Sequence, residues 1–397
     1  MKIKEIMKYD FDSIIDREGT DAIKLTAMME NWGRTDLIPM WVADMDFAAG
    51  PFVLDAIRRH CDRKILGYTC KGDHYYNAII HWVNDRYGMS ATKENITFVG
   101  GVVPGIALAM DCFSKPGDKV LIQPPVYHPF RNVSTAYGRE VVTNPLMLEN
   151  GQYRMDLDDL RNKVKGCKLM ILCNPHNPGG IVWTKEELRA VAEICAKEHV
   201  MVFSDEIHAD LTLPPCKHTP FCMIGEEARQ NAVTFMAPSK AFNIAGISAS
   251  HVLIYNKEWH QQFEAFLERG EQNMGHVFAT LCVEACYTEG KEWLDQCVRY
   301  IQGNIDYVIA FLKEHCPKIK AIEPHASYLI WLDCRELGLT TNQLTDFFVD
   351  KAHLALNDGY IFGEEGKGFM RLNIGSPRSI IEKAMKQLAE AYKQQGY

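Results

Sequence analysis

The chain has 397 residues, 47% of them hydrophobic and 24% charged, an ordinary balance for a globular protein long enough to build more than one core. Its formal net charge of -8, with no basic run, lacks the electrostatic footprint of a nucleic-acid binder. No apolar stretch approaches the roughly 18 residues of a membrane span, Met1-Lys2-Ile3-Lys4-Glu5 opens without a signal-peptide core, and 13 scattered cysteines fit reduced thiols in a cytoplasmic chain better than a disulfide framework.

Residues 1 to about 50 show no long helical period and read as an arm plus the start of a small domain. Within them Trp41 to Phe47 is apolar apart from Asp44 and Asp46, which suit a turn with two solvated acids. Phe52 to Lys64 has the spacing of a helix. Asp73 is expected to cap a second helix that runs to Tyr87 and stops at Gly88. Phe98 to Gly105 is a glycine-rich turn that opens into an apolar helix, Ile106 to Cys112. Such a turn aims backbone N–H groups at a phosphate, helped by the helix dipole. Neither Gly-x-Gly-x-x-Gly nor Gly-Lys-Ser/Thr is present, so it is not a dinucleotide or Walker loop.

Lys119 to Gln123 reads as a strand stopped by Pro124-Pro125, with Tyr127 just beyond. Lys168 to Cys173, Val200 to Phe203 and Ala232 to Met236 are strand-like apolar runs. They are followed by Asn174-Pro175-His176-Asn177-Pro178, by Ser204-Asp205-Glu206-Ile207-His208, and by Ala237-Pro238-Ser239-Lys240. Asn177-Pro178 is a candidate cis bond, and Thr184 to Glu187 spells a helix capping box. Alone, each polar residue has a bland reading: a turn amide, a helix cap, a solvated lysine. Together they put Asn, Asp and Lys at successive strand ends, where ligands of open α/β sheets sit. The trio suits pyridoxal phosphate, with Lys240 for its aldehyde, Asp205 for the pyridinium nitrogen and Asn177 for the ring hydroxyl.

Beyond Leu253 the chain is helix-rich, with amphipathic Glu258 to Arg269 and Phe278 to Cys286 and a long connecting helix, Glu292 to Cys316. Ser327 to Asp333, Leu356 to Phe362 and Phe369 to Ile374 alternate like half-buried strands. The expected fold is α/β: a large cofactor domain, 51–285, with a mostly parallel sheet between helices, and a smaller α+β domain made of 1–50 and 286–397. No His, Cys or Asp pair has convincing metal-ligand spacing, so no metal is expected.

Met40-Trp41-Val42-Ala43-Asp44-Met45-Asp46-Phe47, Gly101-Val102-Val103-Pro104, Asn174 to Pro178, Ser204 to His208, Ser239 to Gly246 and Met370 to Ile374 together resemble the fold-type I pyridoxal-phosphate enzymes of aminotransferase class I/II. Their finer details resemble the cystathionine β-lyase branch, the MalY/PatB-like C–S lyases. The resemblance implies that Val102, Val103 and Ser239 hold the cofactor phosphate and that Tyr127 stacks on its ring. It puts His208 near the ring hydroxyl, where many aminotransferases carry a tyrosine. It gives Arg371 the substrate α-carboxylate, with Ala43 close by, and makes Lys240 the base, helped by Tyr127 or Tyr68. It also implies a homodimer with active sites at the interface, Tyr68 reaching the phosphate of the other subunit. One departure is Ser248, which stands where an arginine often follows the lysine by eight residues. The implied reaction is β-elimination on cystathionine, cystine or another cysteine S-conjugate, giving pyruvate, ammonia and a thiol. An aminotransferase would use the same residues up to the carbanion. A binding or regulatory protein on the same fold is the remaining rival, and intact Asn177, Asp205, Lys240 and Arg371 argue against it.

Overall fold

The computed structural model describes residues 8–397, so the opening pentapeptide read above lies outside it. Several strand sequences are apolar at successive rather than alternate positions. That pattern belongs to strands covered on both faces, and these strands are buried along nearly their whole length. In chain order the large sheet is built from β2 (Ile96–Val99), β3 (Lys119–Ile122), β4 (Glu140–Thr143), β5 (Cys167–Cys173), β6 (Met201–Asp205), β7 (Ala232–Met236) and β8 (Ser250–Leu253), with β1 (Ile38–Pro39) standing apart. Its spatial order is β2-β8-β7-β6-β5-β3-β4. All neighbours are parallel except around β8, which runs antiparallel to β2 and β7. A parallel strand needs a crossover to return the chain to the far edge. The segment between Met236 and Ser250 instead turns along the carboxyl edge with only short 3₁₀ structure, so β8 comes back antiparallel.

Cys173 pairs with Asp205, and Asp205 with Phe235. The carboxyl ends of β5, β6 and β7 are therefore adjacent, as the order Asn, Asp, Lys requires. Met201–Asp205 extends beyond the expected Val200 to Phe203 and makes Asp205 itself the last strand residue. Asn177-Pro178 is cis, and Thr184 and Glu187 form the reciprocal capping box.

A second sheet, antiparallel throughout, has the order β9-β10-β13-β12 and consists of β9 (Lys320–Ile322), β10 (Leu329–Asp333), β12 (Asn357–Asp358) and β13 (Phe369–Asn373). Two of its strands are buried along nearly their whole length rather than half-buried, with Trp331 on β10 packed against Phe362 and donating its Nε1–H to Tyr153 Oη at 3.1 Å. The expected strand Leu356 to Phe362 is mostly absent. Only Asn357–Asp358 pairs, and Gly359–Phe362 closes into a tight turn in which the Asp358 carboxylate accepts the Tyr360 N–H at 2.8 Å. Gly359 packs so closely that a Cβ there would lie 2.1 Å from the Gly366 carbonyl. β1 pairs in parallel with β11 (Leu354–Ala355), tying the N-terminal segment to the C-terminal part of the chain.

Four helix readings need correction. Residues before 50 contain a helix, α1 (Ile23–Trp32), whose apolar contact is narrow: buried Met28 with half-buried Leu25 and Trp32, against Leu37, Val349 and Trp41. α2 (Pro51–Cys61) stops short of Lys64, which adopts a positive φ of 63°. α3 (Asp73–Tyr87) is preceded by Gly72 at the cap position, and the Asp73 carboxylate is drawn instead to Lys93 at 2.9 Å. α4 (Val102–Phe113) starts at Val102 rather than Ile106, which puts the two valines in its first turn.

α4 reaches the sheet through a glycine. A Cβ on Gly105 would sit 2.8 Å from Val99 Cγ2 and 3.4 Å from Phe235 Cδ1, on β2 and β7. Neither a branched valine nor a packed ring can move cheaply. Gly105→Val is expected to destabilise the protein by about 1–3 kcal/mol and to weaken cofactor binding as the helix start lifts. Urea unfolding checks the first effect; an unchanged midpoint would show that the contact is slack.

Candidate active site

Beyond the carboxyl ends of β5, β6 and β7 lies a cavity of about 270 Å³. Lys240 enters it from the turn after β7, anchored by buried Ala241 and Phe242. Burial, with Arg371 adding to it, lowers the Lys240 amine to about 8, while Asp44 and Asp205 pull the other way. Its Nζ donates to the Ala43 carbonyl at 2.6 Å. Asp205 faces the same space from the end of β6. Burial raises its carboxyl to about 7, against the Ile207 N–H, which donates to it at 3.1 Å. A carboxylate held there is short of positive charge, and a cationic ring entering the cavity would supply it.

The opposite wall is the start of α4. Gly101 precedes it at a φ of 143°, a conformation other residues rarely adopt. The first amides of any helix have no intrahelical partner, so those of Val102 and Val103 are available to an anion. Ser239, Ser248 and Ser250 line the same cavity, and the buried hydroxyl of Ser250 has no hydrogen-bond partner. Among the described residues, Lys240 is the one cationic side chain lining the cavity. Ser248 holds a left-handed φ of 52° and presents only its hydroxyl where an arginine could have stood.

Tyr127 forms a side of the cavity, its N–H bonded to the Asn177 carbonyl at 3.0 Å and its ring edge-on to Phe130. His208 is buried against Tyr328, and burial lowers its pKa to about 3, so it is neutral, with Nδ1 unpartnered. Arg371 on β13 is buried rather than solvated, stands behind Asn177, and has its pKa lowered by burial to about 10. Nη1 donates to Asn177 Oδ1 at 3.1 Å; Nη2 donates to the Trp41 carbonyl at 3.0 Å and to Asn357 Oδ1 at 2.6 Å. Its fork is therefore engaged by the protein, and only Nε is without a partner.

Unpartnered groups on Ser250 and His208, free helix amides, a buried acid and an enclosed amine make a donor set that fits pyridoxal phosphate end to end. Of the residues singled out from sequence, Ala43, Val102, Val103, Tyr127, Asn177, Asp205, His208, Ser239 and Lys240 share the cavity wall. Arg371 joins it through Asn177. Tyr68 does not: it is fully exposed between α2 and α3 and borders a separate surface recess. Among the described residues, no group of His, Cys, Asp and Glu could hold a metal ion.

Sequence reading missed Cys173 and Ser250 on the wall, and the residues that fasten Trp41 to Phe47. Tyr328 Oη donates to the Ala43 carbonyl at 2.9 Å. Asn373 Nδ2 donates to the Val42 and Asp44 carbonyls at 2.6 and 2.7 Å. Asn243 Nδ2 donates to those of Met45 and Phe47 at 2.9 and 2.8 Å. The motifs around Lys240 and Arg371 contain both asparagines, and their place inside those motifs was the available signal.

The sequence matches the aminotransferase class I and II family over residues 38–388. It is 40% identical to cystathionine beta-lyase PatB of Bacillus subtilis (strain 168), in an alignment covering 96% of this chain and 99% of that one. The structure is similar to cystalysin from Treponema denticola, which contains a pyridoxal 5'-phosphate cofactor, with a TM-score of 0.94 and 34% identity over 98% of this chain and 100% of that one. It is also similar to the pyridoxal-phosphate-bound C–S lyase from Staphylococcus hominis, with a TM-score of 0.90 and 33% identity over 97% and 98% of the two chains.

The raised Asp205 carboxyl has a measurable consequence. Its pKa rises from 3.8 unfolded to about 7 folded, so between those values the folded state binds the extra proton. Its contribution to stability is then fully present below the lower value and is lost as pH rises through the upper one. Cofactor-free protein is expected to lose stability from about pH 4 to pH 7, while cofactor-loaded protein, with a cation beside Asp205, loses less. Thermal melts of both forms across that range check this, and Asp205→Asn should abolish the difference in slope.

Proposed function

The chain belongs to the aminotransferase class I and II family, and we propose that it acts as a pyridoxal-phosphate-dependent carbon–sulfur β-lyase. Its substrate is an amino acid with sulfur at Cβ, such as cystathionine, cystine or another cysteine S-conjugate. Its products are pyruvate, ammonia and a thiol. The observation that carries the reading is the pairing of an enclosed amine, Lys240, with a buried acid, Asp205, in one cavity at neighbouring strand ends. Full-length likeness to cystathionine and C–S lyases supports the lyase reading over transamination.

When bound, pyridoxal phosphate supplies the aldehyde that joins the substrate amine and the cationic ring that takes up the electron pair released at Cα. Asp205 keeps a negative charge against the ring nitrogen, and Asn177 offers its amide to the ring hydroxyl, near neutral His208. Tyr127, on the cavity wall, would lie against the ring. The Val102 and Val103 amides and the hydroxyl of Ser239, which line the cavity, would hold the phosphate. Arg371 takes the substrate carboxylate by exchanging Nη bonds now made to Asn177, Asn357 and Trp41, beside the Ala43 backbone. That grip fixes the Cα–H bond toward Lys240, whose amine, lowered to about 8, is a competent base near neutral pH. Lys240 Nζ takes the α-proton and then stands, with Tyr127, to deliver a proton to the departing sulfur. The mouth is completed by a second copy of the chain, with the partner subunit's Tyr68 at the phosphate. Exposed Ile65, Leu66 and Tyr68 form an apolar strip suited to such a contact. Residues 51–285 serve as the cofactor domain; 1–50 and 286–397 form the small one, consistent with the β1–β11 pairing. The reading places the protein in the cytoplasm, in keeping with free cysteines, most of them buried.

The test is incubation of the cofactor-loaded protein with L-cystathionine and no keto acid. Pyruvate and free thiol are expected over many turnovers, and Lys240→Ala should abolish both. Arg371→Lys should raise KM by about tenfold or more, through loss of a charge-assisted fork. Conversion that stops after one equivalent per site would instead identify an aminotransferase.

A further inference from the structure

Among the described residues, the acceptor met by the Lys240 amine is the carbonyl of Ala43, and the next residue, Asp44, belongs to a cluster of four charges in which Lys24 is buried and Arg17, Asp44 and Asp46 are partly exposed. Lys24, on α1, is 1% exposed. Its Nζ lies 2.9 Å from both carboxylate oxygens of Asp46 and 3.3 Å from Asp44 Oδ1. The fork of Arg17 closes the other side, reaching Asp44 at 2.7 and 3.2 Å and Asp46 at 3.0 Å. Each carboxylate thus touches both cations. Enclosing a lysine this deeply is unfavourable unless its partners are fixed, and an apolar residue would pack α1 with less difficulty. A solvated turn, the reading that composition suggests for Asp44 and Asp46, would need no such partners.

We infer that Lys24, Arg17, Asp44 and Asp46 are positioning residues that hold the Ala43 carbonyl against the Lys240 amine and balance the field at Nζ. A neutral amine that donates one N–H to a fixed carbonyl has its lone pair turned away from that carbonyl, into the cavity. Shifting Asp44 shifts the adjoining carbonyl and with it the direction of the lone pair. Asp44 stays ionised: burial opposes this, but Arg17 and Lys24 hold its carboxyl below the ordinary value. From the elements packed around it, Lys240 faces Asp44, Asp205, Arg371, His208 and Tyr328. Of these, Asp44 is the acid whose charge is offset by cations outside the cavity.

The inference rests on the proposed role of Lys240, and one experiment separates the two. The absorbance of bound pyridoxal phosphate is titrated with pH in the holoenzyme. Asp44→Asn removes a negative charge near Nζ, so the midpoint should fall. Lys24→Met leaves Asp44 less neutralised, so it should rise; each shift should be about half a unit or more. Lys24→Arg should return both the midpoint and kcat toward wild type. Arg17→Met, at a partly exposed position, gives the same upward shift and replaces Lys24→Met should that protein fail to fold. A structural role alone would lower the melting temperature without moving the midpoint in opposite directions for opposite charges. Shifts of the same sign, or none, overturn the inference while leaving the lyase reading intact. Absence of any cofactor band in the wild type, or its survival in Lys240→Ala, overturns both.

Discussion

A buried backbone carbonyl without a donor is costly, and Trp41 to Phe47 presents a row of them in a segment with neither helix nor strand. Side chains from distant parts of the chain satisfy them. Arg371 and Asn373 come from β13, Tyr328 from just before β10, and Lys240 and Asn243 from the turn after β7. The segment therefore fastens the small antiparallel sheet to the carboxyl edge of the large one. The side chains that would do the chemistry are also donors in this fastening. Their positions follow from a demand for hydrogen bonds that exists before any ligand arrives.

Charge follows a complementary logic. Lys240, Asp205 and Arg371 are each buried enough that ionisation is disfavoured, and each pKa moves toward neutrality. Among the described residues, none has a close, fixed ion-pair partner. In contrast, Lys24 and Arg17 meet Asp44 and Asp46 directly. One cluster is largely neutralised within itself; the other keeps unbalanced charge for a ligand. Perturbed groups hydrogen-bonded to the protein but not ion-paired within it are what a binding cavity requires.

Much of this was legible from residue order alone. Continuous apolar runs followed by Asn, Asp and Lys made β5, β6 and β7 recognisable, and a polar residue directly after a buried strand has few places to go. Local rules recovered the capping box at Thr184 and the stop at Gly88. What escaped depended on contacts distant in sequence. α1 hides because its apolar residues do not keep to one face: Leu25, Met28 and Trp32 pack inward, while Ile23 and Met29 are exposed. Leu356 to Phe362 alternates like a strand, yet the approach of Gly359 to Gly366 folds it into a turn. Asp44 and Asp46 look like ordinary solvated acids until Lys24 is brought beneath them, and Tyr328 has no local mark distinguishing it from a core aromatic.

The serine at 248 gives the far end of the cavity a character of its own. Among the described residues, that end offers amides and hydroxyls but no guanidinium. A dipole's pull fades with distance faster than a charge's, so these groups act on an anion almost only at contact. A phosphate group seated there would be judged by fit rather than drawn in from a distance, and dissolved salt would have little long-range attraction to screen.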